Sequence, residues 1–241
     1  MRISINEGFI RRRASIARWS SLIGLGVLGV GLIVSFNKDY YYWSLPALVI
    51  GFFLASISAY NANRYVKEPR PDQILAKVLR GFDNSYHLFI YTAPVAHVLL
   101  TPSRVYALLV KPQDGVIRRQ GQRWRRDFNL RRVLFIFGDE GLGNPGRDAQ
   151  DSAGRLQREL VKAFGTEAPP VEGLAVFTHP NARLEGLDSP PWQAGEVPVL
   201  AGKDLKKYIR AQPKGVSLNS DLRKRVAAFL QGTASAEEIS E

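Results

Sequence analysis

The chain has no cysteine among its 241 residues. This absence excludes a disulfide framework, a thiolate metal site and a cysteine nucleophile. Acidic residues are also few: 22 Asp and Glu stand against 33 Lys and Arg, which gives a formal net charge of +11. An excess of positive charge on this scale favours anionic neighbours, such as nucleic acid or acidic lipid headgroups, without choosing between them.

Two long runs near the N-terminus have no charge at all. They cover seventeen residues from 20 to 36 and twenty-one residues from 40 to 60. Each is close to the roughly 20 residues that a helix needs to cross about 30 Å of hydrocarbon. The connection Asn37-Lys38-Asp39 is short, so the sequence predicts a transmembrane helical hairpin over residues 19–60.

Basic residues flank both outer ends of this hairpin. Those before it are Arg11, Arg12, Arg13 and Arg18, and those after it are Arg64, Lys67 and Arg70. Basic flanks stay on the cytoplasmic side, so both termini are expected to be cytoplasmic. A cleaved signal peptide is the alternative, but no small-x-small cleavage site follows Phe36 and a second span comes directly after it.

The run GLGVLG, residues 24–29, matches the glycine pattern of dinucleotide-binding loops. That motif requires a preceding strand and a following helix, whereas these glycines lie inside an apolar span. Gly24 and Gly31 are one heptad apart, with Ser20 and Ser35 at four-residue offsets. We therefore expect a smooth helix face for close packing rather than a phosphate site.

Beyond residue 60 the pattern changes to that of an α/β domain. A polar linker over 61–71 precedes a domain over 72–215, followed by a C-terminal helix and polar tail over 216–241. Helices are predicted from Ile74 to Phe82, over 148–164 and over 220–230, the last with Ser220 as its N-cap. Strands are predicted over 88–91, 96–100, 105–111, 133–137, 171–179 and 197–200.

The segment VAHVLLTPSRVYALLVKPQDG, residues 95–115, has the pattern of a strand, a tight turn and a second strand that ends in Lys111. A strand-end lysine has two interpretations, a side chain that reaches solvent or a phosphate contact. His87, His97 and His179 are each expected to be structural histidines rather than metal ligands.

Several motifs in this order resemble the nuclease-related domain (NERD) family, whose fold is restriction-endonuclease-like. The resemblance covers about residues 70–210. It rests on AHVLLTPSRVYALLVKPQDGVI, on Trp124, on Asn144-Pro145 with Gln150, on GLAVFTHPNARL, and on Asp72 ahead of Leu75, Leu79 and Phe82. It implies a mixed sheet flanked by helices, with Lys111, Gln150 and Asp72 as vestigial catalytic residues.

The sequence departs from the family at the residues that would bind metal. Ala96 stands where the family has an Asp, and Leu109 stands where it has a Glu. In this nuclease type two carboxylates hold Mg²⁺ and the lysine positions the attacking water. Because alternation places Leu109 on the same strand face as Lys111, the pocket is expected to have an apolar wall. No metal ligand is assigned, and Asp114 and Asp139-Glu140 are the remaining candidate acids.

A second run, IRRQGQRWRRDFNLRR over residues 117–132, holds seven arginines and one tryptophan. Three interpretations remain open: a nucleic-acid surface whose aromatic ring stacks a base, attraction to anionic lipid headgroups, or a solvated hairpin turned at Gly121. The candidate contact residues are Arg118, Arg119, Arg123, Trp124, Arg125 and Arg126.

The sequence as a whole indicates a bacterial inner-membrane protein with both termini cytoplasmic. Its NERD-like domain is expected to be catalytically inactive and to bind or scaffold nucleic acid or another anionic partner, beside the lipids of the membrane. No cofactor is expected. The alternative is a membrane-tethered nuclease with a rearranged site, which would require Mg²⁺ or Mn²⁺.

Overall fold

A computed structural model of the chain describes residues 1–121, 123–127, 141–186, 196–213 and 217–232. The helices are α1 (Glu7–Ser35), α2 (Ser44–Asn61), α3 (Pro71–Val78), α4 (Pro145–Phe164), α5 (Gly202–Ala211) and α6 (Ser220–Leu230). The strands are β1 (Arg2–Ile5), β2 (His87–Ile90), β3 (His97–Leu100), β4 (Val105–Lys111), β5 (Gly115–Gln120), β6 (Arg123–Arg126), β7 (Val171–Phe177), β8 (Ala182–Glu185) and β9 (Val199–Ala201).

The described residues form two compact units. The first comprises Met1–Asn6, Pro71–Asp127 and the described residues from Leu142 onward, and the second contains the segment Glu7–Arg70. The chain therefore begins in the first unit, leaves it for two long helices, and returns to it at α3.

The second unit is a pair of helices that pack through small residues. The buried residues of α1 recur every seven positions, at Ile10, Ala17, Gly24 and Gly31. A Cβ on Gly31 would come within 2.6 Å of the Ala47 Cβ on α2. The predicted packing role of Gly24 and Gly31 is confirmed, and two helical segments, α1 and the one containing α2, are long and apolar enough to cross a membrane.

The first unit contains a six-stranded mixed sheet in the order β1-β2-β3-β4-β7-β9. β2, β3 and β4 pair antiparallel, whereas β1 pairs parallel with β2, and β7 pairs parallel with both β4 and β9. A smaller sheet has the order β6-β5-β8. Strand β1 was not predicted, and each of its four residues lies 85 positions before its partner in β2.

Alternating strand residues divide the large sheet into two faces. One face, with Leu108 and Val110 of β4, packs against α3 and α5. The other face, with Val105 and Ala107 of β4, packs against α4 and α6. Helices α3 and α4 therefore cover opposite faces, and the C-terminal helix α6 belongs to the domain core.

Most predicted elements are present, with shifted ends. Strand β4 and helix α6 have the predicted bounds, whereas α4 begins three residues earlier, at Pro145. The N-cap of α6 is Asn219, not Ser220 as predicted, because the Asn219 side chain accepts the N–H of Asp221 at 3.1 Å. The strand predicted over 133–137 lies outside the described residues.

Candidate functional site

Lys111 ends β4 on the face that α4 covers. Its Nζ lies 3.4 Å from Oδ2 of Asp148, and the residue is only 8% exposed. Burying an ammonium group is unfavourable unless it is paired, so this carboxylate compensates the charge of Lys111. The fold thus brings together two residues that are 37 positions apart in the sequence.

Asp148 is held by the start of α4. Asn144 caps this helix through its side chain, which accepts the N–H of Arg147, and Pro145 occupies the first turn. A carboxylate in the first turn is stabilised by the helix dipole. Gly143 lies next to the ion pair. A Cβ at this position would be 3.0 Å from the Asp148 Oδ2 and 4.0 Å from the Lys111 Nζ.

Leu109 forms the apolar wall that strand alternation predicts. It packs against a buried cluster that includes Ala149 of α4 and Ala175 and Phe177 of β7. Leu109 and Lys111 therefore face α4 together, which confirms that they share one strand face. Ala96 directly precedes β3, and the pairing of β3 with β4 runs from Val98 with Ala107 to Leu100 with Val105.

The other candidate catalytic residues lie elsewhere. Asp72 is buried in the first turn of α3, the helix on the opposite sheet face from α4. Gln150 is exposed on α4. Asp114 is bound to Arg126, through its carboxylate and through its carbonyl oxygen, which accepts the Arg126 Nε–H at 2.8 Å. Residues 139 and 140 lie outside the described ranges.

No group of three or more His, Asp or Glu side chains able to hold a metal ion occurs within the residues that the structure describes. The three histidines have local partners. His87 Nε2 lies 2.8 Å from Ser4 Oγ, the His97 ring packs 5.1 Å from the Tyr91 ring, and His179 Nδ1 accepts the N–H of Asn181 at 3.1 Å.

The arginine run forms the hairpin β5-β6 of the small sheet, with Gly121 in its turn at φ +61°. Three of its arginines are paired with carboxylates of the protein itself. Arg118 contacts Asp127 and Glu185, Arg119 makes a two-pronged contact with Glu196 at 2.6 and 2.7 Å, and Arg126 contacts Asp114.

Arg123 and Arg125 are the exposed arginines of β6, and no carboxylate among the described residues pairs with either. Trp124 points the other way, because successive strand residues alternate between faces. Its ring packs against the cluster around Ile117. The tryptophan therefore belongs to the sheet's packed side, and the exposed side presents Arg123 and Arg125 without it.

Asp148 and strand β1 are the features that sequence reasoning missed. Asp148 has the signature of a first-turn helix acid, following Asn144 and Pro145, but that pattern does not reveal a contact with Lys111. β1 has the alternating sequence RISI, yet it is short and directly precedes the basic run of α1.

Searches of protein-family models, curated proteins and solved structures found no match to this chain. What the fold defines is a mixed α/β protein with two N-terminal helices that are long and apolar enough to span a membrane.

Proposed function

We propose that this chain is a bacterial membrane protein in which a two-helix hairpin anchors a cytoplasmic, restriction-endonuclease-like domain of the NERD type. In this proposal the domain has lost its catalytic metal site. It acts as a binding or scaffolding module for nucleic acid or another anionic partner.

The observation that carries the proposal is the environment of Lys111. A metal nuclease needs carboxylates beside this lysine, and the strand face beside it presents the aliphatic side chain of Leu109 instead. The one carboxylate paired with Lys111, Asp148, neutralises the ammonium. This ion pair and the apolar side chain beside it support the proposal that the site holds no catalytic metal.

The order of elements supports the fold assignment. Helix α3, the antiparallel strands β2, β3 and β4, helix α4 and the parallel strand β7 follow one another along the chain. This is the order expected for the restriction-endonuclease core. The two helices lie on opposite faces of the sheet, which is consistent with that assignment.

Strand β1 supports the topology. It precedes the two apolar helices in the chain but pairs with β2, which follows them. Both ends of the hairpin therefore join one domain, so a spanning hairpin must cross the bilayer twice. The basic flanks on both outer ends of the hairpin support a cytoplasmic location for that domain.

A rearranged nuclease is the second candidate, and Asp148 is the observation that favours it. A carboxylate does lie next to Lys111, and one oxygen ligand from the protein can hold Mg²⁺ when substrate phosphates and water supply the others. This candidate requires the ion pair to open when metal binds.

One titration separates the two candidates. The full chain in detergent is titrated calorimetrically with Mg²⁺ or Mn²⁺ and then with duplex DNA. The scaffold is expected to bind DNA with the same affinity in metal and in EDTA. Metal binding that disappears in Asp148→Asn would favour the nuclease. Absence of DNA binding in both conditions would remove nucleic acid as the partner.

A further inference from the structure

Helices α3 and α5 lie side by side on the same face of the large sheet. Their apolar residues, Leu75 and Leu79 from α3 and Leu205 and Ile209 from α5, enter one buried cluster. The exposed residues of α5 are mostly basic, α3 exposes Lys77, and Arg80 follows α3 by two residues. We define the α3–α5 face by its exposed cations: Lys77, Arg80, Lys203, Lys207 and Arg210.

This positive charge is not neutralised within the domain. In the ranges that the structure covers, no carboxylate lies within ion-pairing distance of any of the five cations. Asp204 is the exposed acid of α5. Two cations here also have structural contacts. Lys206, a sixth cation, donates to the carbonyl of Arg80 at 2.5 Å and lies over the Phe82 ring, and Arg210 donates to the carbonyl of Gly81 at 3.4 Å and lies over the same ring.

An apolar groove adjoins these cations. Ile3 and Ile5 of β1 are 44% and 38% exposed, although they occupy the sheet face that α3 covers. They line a cavity of about 400 Å³ together with Ala76, Lys77 and Arg80, and the buried Asp72 also contributes to the lining. The surface thus combines exposed aliphatic side chains with a basic rim.

We propose that the α3–α5 face and its groove bind the anionic phospholipid headgroups of the bilayer that holds the hairpin. Charge complementarity favours this ligand, because the cytoplasmic leaflet is negatively charged and attracts basic surfaces close to it. The exposed aliphatic side chains of the groove, Ile3 and Ile5, suit the boundary between headgroups and acyl chains.

Chain continuity favours the same ligand. Ile5 lies two residues before α1 begins, and α3 begins at Pro71, where the chain returns from the second apolar helix. Nucleic acid is the competing anion. The inference rests on the proposed membrane hairpin and its cytoplasmic domain.

The absence of cysteine makes a single-label test direct. A bimane fluorophore is attached in the groove through Ala76→Cys, or beyond the end of α4 through Thr166→Cys. The full chain is then reconstituted in nanodiscs of phosphatidylcholine with or without phosphatidylglycerol, each with a small share of headgroup spin-labelled lipid. Quenching reports contact between the label and the headgroups.

We expect stronger quenching at position 76 than at position 166, and only when phosphatidylglycerol is present. Changing Lys77, Arg80, Lys203 and Lys207 to Gln should weaken this preference about fivefold per cation, the equivalent of about 1 kcal/mol for each basic residue near the surface. The matched control changes four exposed cations outside the face to Gln: Arg147, Arg155, Arg158 and Lys224. It should leave the quenching unchanged.

Three results would overturn the inference while leaving the hairpin intact: quenching independent of phosphatidylglycerol, an equal reduction in the control variant, or release of the quenching by a short DNA duplex. The last would assign the face to nucleic acid. A chain that does not enter nanodiscs at all would refute the membrane hairpin, and this inference with it.

Discussion

The Nζ of Lys111 lies 3.4 Å from the Oδ2 of Asp148, on the same strand face as Leu109. The lysine is almost fully buried, whereas the carboxylate side chain is 41% exposed. Removing the carboxylate therefore leaves a buried ammonium without this compensating charge, while removing the lysine leaves a carboxylate that water can still reach.

Asp148→Asn should destabilise the domain by about 1–3 kcal/mol, because a buried charged donor loses its partner. Lys111→Met should lower the free energy of unfolding by less than Asp148→Asn does. The double variant Lys111→Met, Asp148→Asn should be more stable than Asp148→Asn alone. Urea unfolding of the full chain in detergent measures all three.

The pair Glu159 and Lys162 on the same helix is the control, since Lys162 is 70% exposed and the ion pair is at the surface. Glu159→Gln should change the free energy of unfolding by less than about 1 kcal/mol. The contradicting result concerns the Lys111–Asp148 pair itself. If the free-energy changes of the two single variants summed to that of the double variant, the ion pair would have no energetic role.

His87 predicts a pH dependence of stability. Burial, with a smaller contribution from the charge of Arg2, lowers the pKa of His87 from 6.5 to about 4. Between these two values the unfolded chain binds a proton that the folded chain does not, so this residue makes stability fall as the pH drops from 6.5 to 4.

His87→Gln should remove that contribution. The free energy of unfolding of the wild type and of the variant is measured at several pH values. Plotted against pH, the two free energies should differ in slope over this window and run parallel above it. Because carboxylates titrate near the lower end, the difference between the two proteins is the informative quantity. Identical slopes would mean that His87 keeps its ordinary pKa in the folded protein.

The glycines of the hairpin differ in what surrounds them. A Cβ on Gly31 would lie 2.6 Å from the Ala47 Cβ, whereas a Cβ on Gly26 meets nothing within 4 Å. Gly31→Ala should therefore force the helices apart, at a cost of about 1–3 kcal/mol, and Gly26→Ala should not. Thermal stability in detergent tests this pair, and equal effects would contradict the described packing of α1 on α2.

The arginine hairpin should separate into structural and binding residues. Arg119→Gln is expected to lower stability by about 1 kcal/mol, because it breaks the two-pronged contact with Glu196. If nucleic acid binds here, Arg123→Gln with Arg125→Gln should lower the salt-dependence slope of DNA binding by about 0.9 for each phosphate that is no longer neutralised.

Unchanged DNA affinity in the Arg123 and Arg125 variant, together with weaker binding to anionic vesicles, would assign these residues to lipid. No change in either assay would identify a solvated face. Arg118 is a poor test residue, because it already contacts both Asp127 and Glu185.

The local hydrophobic pattern of the sequence was enough to predict β4, α4 and α6. The apolar run from Val105 to Val110 is bounded by turn residues, and Leu156, Leu160 and Phe164 recur at helical spacing. The same pattern predicted that Leu109 and Lys111 share a face, because strand alternation depends only on neighbouring residues.

Features that depend on distant pairing were not predictable in this way. The pattern RISI becomes a strand only because β2, more than 80 residues later, presents an edge to it. The pairing of Lys111 with Asp148 depends on how α4 packs on β4. The same holds for Arg119, whose partner Glu196 lies 77 positions away.

The central claim is that Leu109 and Ala96 occupy the positions where a metal site would be, so the most direct measurement is calorimetric Mn²⁺ binding by the wild-type chain and by Ala96→Asp, Leu109→Glu. Leu109→Glu adds a carboxylate on the face of Lys111, and Ala96→Asp adds one directly before β3, the strand that pairs with β4. In the proposed NERD-like site these two carboxylates share a cation. The account predicts no Mn²⁺ binding and no DNA cleavage by the wild type, and Mn²⁺ binding by the variant. Metal-dependent cleavage by the wild type that disappears in Lys111→Ala, or a folded variant without Mn²⁺ affinity, would contradict it.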